Sequence, residues 1–161
     1  ELYGNQKTKE SSISKSRDDT EKQLLKIAIK NNLPVLGICR GMQFINIFFG
    51  GKIIKIKEET DSKIEHVANN HQIKLIEKDT IDLFGKESEV NSYHNQGITS
   101  SNLSKELNVF ATSEDGIIEA VYHKTLPIAA MQWHPERKSP DTLINEKIVK
   151  AFLKKEIFWK K

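Results

Sequence analysis

The feature that most constrains this chain is a junction. Leu33 to Ile38 (LPVLGI) is a short apolar run, Cys39 follows it directly, and Met42 to Phe49 is apolar with helical spacing. A short apolar run led by a proline suits a buried strand, with Pro34 near its start. Gly50 and Gly51 end the helix that follows. Upstream, Leu24, Leu25, Ala28 and Ile29 recur at helical spacing, which predicts a helix over Arg17 to Lys30. Ser16 is the expected N-cap with Asp19 as its acidic partner, and residues 1 to 15 read as a polar loop. Helix, buried strand, tight turn and helix in succession require an α/β sheet.

Gly37, Cys39 and Gly41 form G-x-C-x-G at that junction, the thiol counterpart of the nucleophile elbow. A nucleophile on a sharp strand-to-helix turn sits in a strained backbone, and small residues two before and two after let the segments approach closely. The following helix N-terminus favours thiolate and is expected to lower the Cys39 pKa. The backbone N–H of Arg40 lies where it can donate to the oxyanion of a tetrahedral intermediate. A lone cysteine on a core strand would otherwise be read as a small buried hydrophobe. A thiol nucleophile also needs a base. His134, in Met131-Gln132-Trp133-His134-Pro135-Glu136-Arg137, directly follows a strand candidate, as Cys39 does. Glu136 stands two residues on, where it could accept from the second ring nitrogen and fix the tautomer.

Further strands are expected at Lys52 to Lys57, His71 to Ile76, Glu89 to Tyr93, Val109 to Ser113, Ile117 to Tyr122 and Ile128 to Gln132. Asp115-Gly116 is a hairpin turn signal. Asp141 to Phe158 is an amphipathic helix with Pro140-Asp141 at its start. With 161 residues and no linker or repeat, the chain reads as one domain, 1–161. A net charge of +3, from 25 basic and 22 acidic residues, is too small and dispersed to argue for nucleic acid. No apolar run reaches the length of a membrane span. The single cysteine excludes a disulfide framework and a cysteine metal cluster, and fits a reducing, cytoplasmic compartment. His66 and His71 have H-x4-H spacing, but no third ligand sits at sensible spacing, so no metal is expected. His66, His71 and His123 are assigned ordinary surface or structural roles.

LGICRGMQ (Leu36 to Gln43) and QWHPE (Gln132 to Glu136) resemble the two signatures of the class I glutamine amidotransferase superfamily, also called the peptidase C26 group. Asn91-Ser92-Tyr93-His94-Asn95-Gln96-Gly97 resembles its glutamyl-binding segment. The resemblance implies a flavodoxin-like, mixed but mainly parallel sheet flanked by helices. It implies attack by Cys39 on a γ-glutamyl amide, with a thioester intermediate, His134 as base then acid, and Glu136 orienting it. No cofactor is implied. The glutamyl group would be held by backbone near Ser92 and Tyr93 and by the Gln43 side chain; His94 is either a contact or a packing residue. Arg40-Gly41-Met42-Gln43 resembles the stand-alone γ-glutamyl hydrolases, a branch that includes enzymes acting on γ-glutamyl-γ-aminobutyrate and on γ-glutamyl-CDP-amidate. Two alternatives stay open: a glutaminase subunit feeding ammonia to a synthase partner, and an inactive binding relative. The richness in Lys, Ile and Asn suggests a bacterial, AT-rich genome. The family begins with strands and a Gly-rich oxyanion loop that precede anything alignable here, so an N-terminal segment of a longer protein is expected before Glu1. The leaving amine is not readable from the motifs.

Overall fold

The structure, a computed structural model, describes residues 15–160. Its first helix, α1 (Lys15–Lys30), ends in Asn31 and Asn32, and Asn32 takes a left-handed φ of 49°. The expected Ser16 cap and the polar loop before it lie outside the residues whose side chains are described. Next come β1 (Val35–Ile38), α2 (Arg40–Phe48), β2 (Ile54–Lys55), the one-turn α3 (Ile56–Glu59), β3 (Val67–Leu75), α4 (Lys78–Phe84) and β4 (Glu87–Tyr93). The chain continues through β5 (Gln96–Gly97), β6 (Leu107–Ser113), β7 (Ile118–His123), β8 (Ile128–Met131) and α5 (Thr142–Leu153) to a final 3-10 turn, Ile157–Trp159. The helix expected over Asp141 to Phe158 starts where the sequence places it but ends at Leu153; Asp141 caps it by accepting from the backbone N–H groups of Leu143 at 2.9 Å and Ile144 at 3.4 Å.

The main sheet has the order β1-β8-β7-β6-β3-β4. Only β1 and β8 are parallel; the other four pairings are antiparallel. The mainly parallel sheet expected from the sequence is therefore not what these residues form. The reason is connection length. Parallel neighbours need a long crossover, and the links between β6 and β7 and between β7 and β8 are too short for one. Asp115-Gly116 makes the first of these turns, with Gly116 at φ 82°. Lys52 to Lys57, expected as a strand, contributes only β2, which pairs with β5 in a small second sheet. Beyond it the chain winds into α3.

Alternation along the strands divides the core between two faces. Ala129 and Met131 of β8 join Trp133, Phe110, Ile144, Ile148 and Trp159 on the face covered by α4, α5 and the C-terminal turn. Ile128 and Ala130 join Leu25, Met42, Phe44 and Ile45 on the face covered by α1 and α2. Two indole hydrogen bonds tie the first layer down: Trp133 Nε1 donates to Asn145 at 3.0 Å, and Trp159 Nε1 to the Val35 carbonyl at 2.8 Å. Behind α2, the buried Asn46 amide donates to the carbonyls of Lys52 at 2.8 Å and Asn102 at 3.1 Å and accepts from Ser104 N–H at 2.8 Å. Among the described residues no helix is long and apolar enough to cross a membrane.

Candidate functional site

Cys39 occupies the single residue between β1 and α2, with φ 50° and ψ −106°. A non-glycine residue there is strained by about 1–3 kcal/mol and persists only where its surroundings hold it. Two things hold it. Its N–H donates to the Met131 carbonyl of β8 at 2.8 Å, extending the β1–β8 pairing by one residue. Gly37, two residues earlier, packs so closely that a Cβ would lie 2.6 Å from Ile45 Cδ1 and 2.8 Å from Ala130 Cβ. Close approach at Gly37 thus matches the sequence reading. At Gly41 it does not, because a Cβ there would meet nothing among the described residues within 4 Å.

Burial pushes the Cys39 thiol up from its ordinary value. A hydrogen bond from the Arg40 backbone N–H, the Arg137 charge and the Gln132 side chain pull down without prevailing, and the Glu136 charge adds to the rise. The sequence expectation of a lowered pKa is corrected here: desolvation outweighs the helix N-terminus.

β8 delivers the other half of the site. Because β1 and β8 run parallel with Ile38 opposite Met131, both strands release their next residues at the same end of the sheet. Gln132 Nε2 lies 3.6 Å from Cys39 Sγ, and His134 follows two residues on. His134 Nδ1 and Glu136 Oε1 are 2.6 Å apart, so the pairing expected from H-x-E is present. Asn91 of β4 clamps the turn. It accepts from His134 N–H at 2.9 Å and donates to the carbonyls of His134 at 2.8 Å and Lys138 at 3.2 Å. The Tyr93 ring stands edge-on to His134 at 5.7 Å between centroids, and the Arg137 guanidinium lies 4.7 Å above Tyr93.

Gln43 is buried and donates to the Gln96 carbonyl at 3.0 Å and toward Gln132 Oε1 at 3.4 Å. A polar chain therefore runs from Gln96 through Gln43 and Gln132 to the Cys39 sulfur. Ser92 is fully buried, and its hydroxyl donates to the His66 carbonyl at 2.7 Å. The Arg40 side chain turns away from the sulfur to form ion pairs with Asp18 and Glu21 of α1. Asn91 and Gln132 stand inside the quoted motifs, yet sequence reasoning gave them no role. Their partners are 43 and 93 residues away, and no local spacing announces such contacts.

His94 is buried with Nδ1 3.0 Å from the Gln96 carbonyl, and burial holds its imidazole below the ordinary value against the pull of Glu119. Of the surface or structural roles expected for His66 and His71, burial of both rings excludes the surface one. They surround Glu119 together with His94. His66 Nε2 lies 2.8 Å from Asp115 Oδ2. Burial opposes ionisation of Asp115, but hydrogen bonds from His66, Ser113 and Ser62 together hold its carboxyl well below the usual carboxylate range. His123 is structural, its Nδ1 accepting from the N–H groups of Thr125 at 3.1 Å and Leu126 at 3.0 Å.

The chain is 31% identical over 159 residues to the glutamine amidotransferase-like protein YvdE of Lactococcus lactis, covering 94% of this chain and 66% of that one. It is 34% identical over 128 residues to the γ-glutamyl-CDP-amidate hydrolase of Campylobacter jejuni, covering 79% and 54%. The fold matches a candidate GMP synthase component from Thermoplasma acidophilum with a TM-score of 0.66 and 28% identity, covering 84% of this chain and 63% of that one. The chain spans about half to two thirds of the length of such relatives. The Peptidase C26 family model matches residues 1–136. That span takes in the strained cysteine, the Asn91 clamp and the His134–Glu136 pair, and the chain belongs to the Peptidase C26 family.

Proposed function

We propose that this protein hydrolyses a γ-glutamyl amide through a covalent intermediate on Cys39, with Cys39 as the nucleophile of an elbow between strand and helix. The observation that carries this reading is the hydrogen-bonded His134–Glu136 pair at 2.6 Å, issuing from the strand parallel to the one that ends in Cys39. A half-buried thiol with a raised pKa needs a base, and His134 is assigned that role. Glu136 holds the Nδ1 proton and leaves Nε2 to accept from the thiol.

The sulfur attacks the γ-carbonyl carbon, and the oxyanion is met by the Arg40 N–H. His134 returns the proton to the leaving amine as the C–N bond breaks. Water, deprotonated by His134, then cleaves the γ-glutamyl thioester and releases glutamate. The glutamyl head group is assigned to backbone of Ser92 and Tyr93, to Gln43, and to the Tyr93 ring beside His134. His94 is assigned a supporting role, because its ring faces Glu119. The relatives' names favour a γ-glutamyl small molecule as substrate.

The test is glutamate release by the full-length protein from glutamine, γ-glutamyl-γ-aminobutyrate, γ-glutamyl polyamines and γ-glutamyl-CDP-amidate, with Cys39→Ala in parallel. Turnover of a non-glutamine amide that vanishes in Cys39→Ala is the expected result. Glutamine hydrolysis that needs an added synthase would move the assignment to a partner-dependent glutaminase. Activity retained in Cys39→Ala would refute the mechanism.

A further inference from the structure

Glu119 of β7 is inaccessible to solvent, and neither of its carboxylate oxygens has a hydrogen-bond partner. Three imidazoles face its Oε1: His71 Nε2 at 3.2 Å, His94 Nε2 at 3.7 Å and His66 Nδ1 at 3.8 Å. All three of those nitrogens also lack a hydrogen-bond partner. Buried polar groups without a partner are costly, and here they converge on one point.

The outer partners fix which ring nitrogen carries the proton. His66 Nε2 faces the Asp115 carboxylate at 2.8 Å, and His94 Nδ1 faces the Gln96 carbonyl at 3.0 Å. Both partners accept, so both ring nitrogens donate. In the neutral rings the inward nitrogens, His66 Nδ1 and His94 Nε2, then carry lone pairs. They point at a carboxylate that can only accept. Three buried acceptors facing one another call for a cation at their centre.

We propose that His66 Nδ1, His94 Nε2 and Glu119 bind a divalent transition-metal ion of the zinc type, with the fourth position left to solvent. The ligand atoms of His66, His94 and Glu119 lie within 4.8 Å of one another. Zinc bonds of about 2.0–2.2 Å in a tetrahedron separate ligand atoms by roughly 3.3 Å. The observed separations of His94 Nε2 and His66 Nδ1 from Glu119 Oε1, 3.7 and 3.8 Å, lie within about half an ångström of that spacing. A ligating histidine normally donates its other N–H to a carboxylate or a backbone carbonyl, and His66 and His94 show one case each. Imidazole nitrogens suit zinc, nickel and copper better than magnesium or calcium. A cleft of about 370 Å³ is lined by Lys55, Glu65, Gln96 and two of the proposed ligands, His66 and His94.

The ion would cross-link the residue before β3, the residue after β4 and the start of β7. Its influence reaches the candidate active site through one atom. The Gln96 carbonyl accepts from both His94 and Gln43, and Gln43 continues to Gln132 and Cys39. The site is thus a positioning element for the glutamyl-binding segment and takes no part in bond breaking.

The experiment strips the full-length protein with a chelator and titrates it with Zn²⁺ by calorimetry and with Co²⁺ by visible absorption. Expected are saturable binding of one ion per chain, the visible bands of four-coordinate Co²⁺, and a melting temperature that climbs with Zn²⁺ concentration. Glu119→Gln and His66→Ala should lose the Co²⁺ bands, whereas His134→Ala, outside the cluster, should keep them. Wild type alone can overturn the proposal. Folded protein that binds neither ion shows that protons, and not a metal, satisfy the cluster. Bands unchanged in Glu119→Gln and His66→Ala would place the ion elsewhere and overturn it as well. These readouts do not depend on hydrolase activity, so the failure of either assignment is visible separately.

Discussion

Gly37→Ala is the sharpest perturbation of the platform under Cys39. The added methyl would sit 2.6 Å from Ile45 Cδ1, 2.8 Å from Ala130 Cβ and 3.1 Å from the Gly41 carbonyl carbon. Carbon atoms in contact prefer about 3.5–4.0 Å, so each neighbour must give by up to about an ångström. Ile45 can turn its terminal methyl only within a packed core, where it is 3% exposed. Ala130 Cβ can move only with β8, the strand that leads to Gln132 and His134. Overpacking of this kind costs about 1–3 kcal/mol. For a chain of this size each kilocalorie lowers the melting temperature by about 2–4 °C, giving a fall of roughly 2–12 °C. Gly41→Ala is the matched control. Its Cβ meets no described atom and it lies in a helix, so it should be neutral or stabilising by up to about 1 kcal/mol. Thermal unfolding followed by circular dichroism reads both variants. Adding Ile45→Val to Gly37→Ala removes the Cδ1 contact and should recover part of the loss. A Gly37→Ala protein melting within about 1 °C of wild type, or a Gly41→Ala protein equally damaged, would refute the close-approach argument.

Asn91→Ala strips three hydrogen bonds from the turn that carries His134; kcat/KM for glutamate release should fall about 100-fold, the scale of an ångström-level misplacement. Because burial raises the Cys39 thiol while Arg137 opposes it and Glu136 reinforces it, the pH midpoint of Cys39 alkylation should move further alkaline in Arg137→Ala and back toward neutral in Glu136→Gln. Glu21 resists its partial desolvation through hydrogen bonds from Arg40 and Arg17 and ends below its ordinary value. Its depressed pKa stabilises the fold at neutral pH, and the gain is lost as pH falls through the folded-state value, so Glu21→Gln should flatten the acid limb of the stability curve. Asn46→Ala removes three hydrogen bonds and takes the side-chain acceptor from the buried Ser104 N–H, so it should cost about 1–3 kcal/mol by denaturant titration.

The candidate site was more legible than the sheet. Cys39 is marked by a run of apolar residues, two glycines and a helix within a few positions, all local signals. His134 and Glu136 are two residues apart, so their hydrogen bond is also a local affair. Strand direction is set by partners far along the chain. The apolar run Ile128 to Gln132 reads equally well in either orientation, and only the short turn after His123 shows that β7 and β8 are antiparallel. The thiol pKa was misread because the helix N-terminus is visible in sequence while the depth of burial is not. The histidine cluster escaped for the same reason as Asn91. His66 and His71 are neighbours in the chain, but His94 and Glu119 reach them only because β3, β4 and β7 converge there.

The placement of the two tryptophans has a practical corollary. Trp133 and Trp159 both belong to the layer under α4 and α5, and the chain has only these two. Intrinsic fluorescence will therefore report the integrity of one side of the sheet. The opposite layer, where α1 and α2 cover Ile128 and Ala130 and support Cys39, is optically silent. A fluorescence melt that lags one followed by Cys39 alkylation would show that the layer supporting the cysteine loosens first, a partial opening that emission alone would miss.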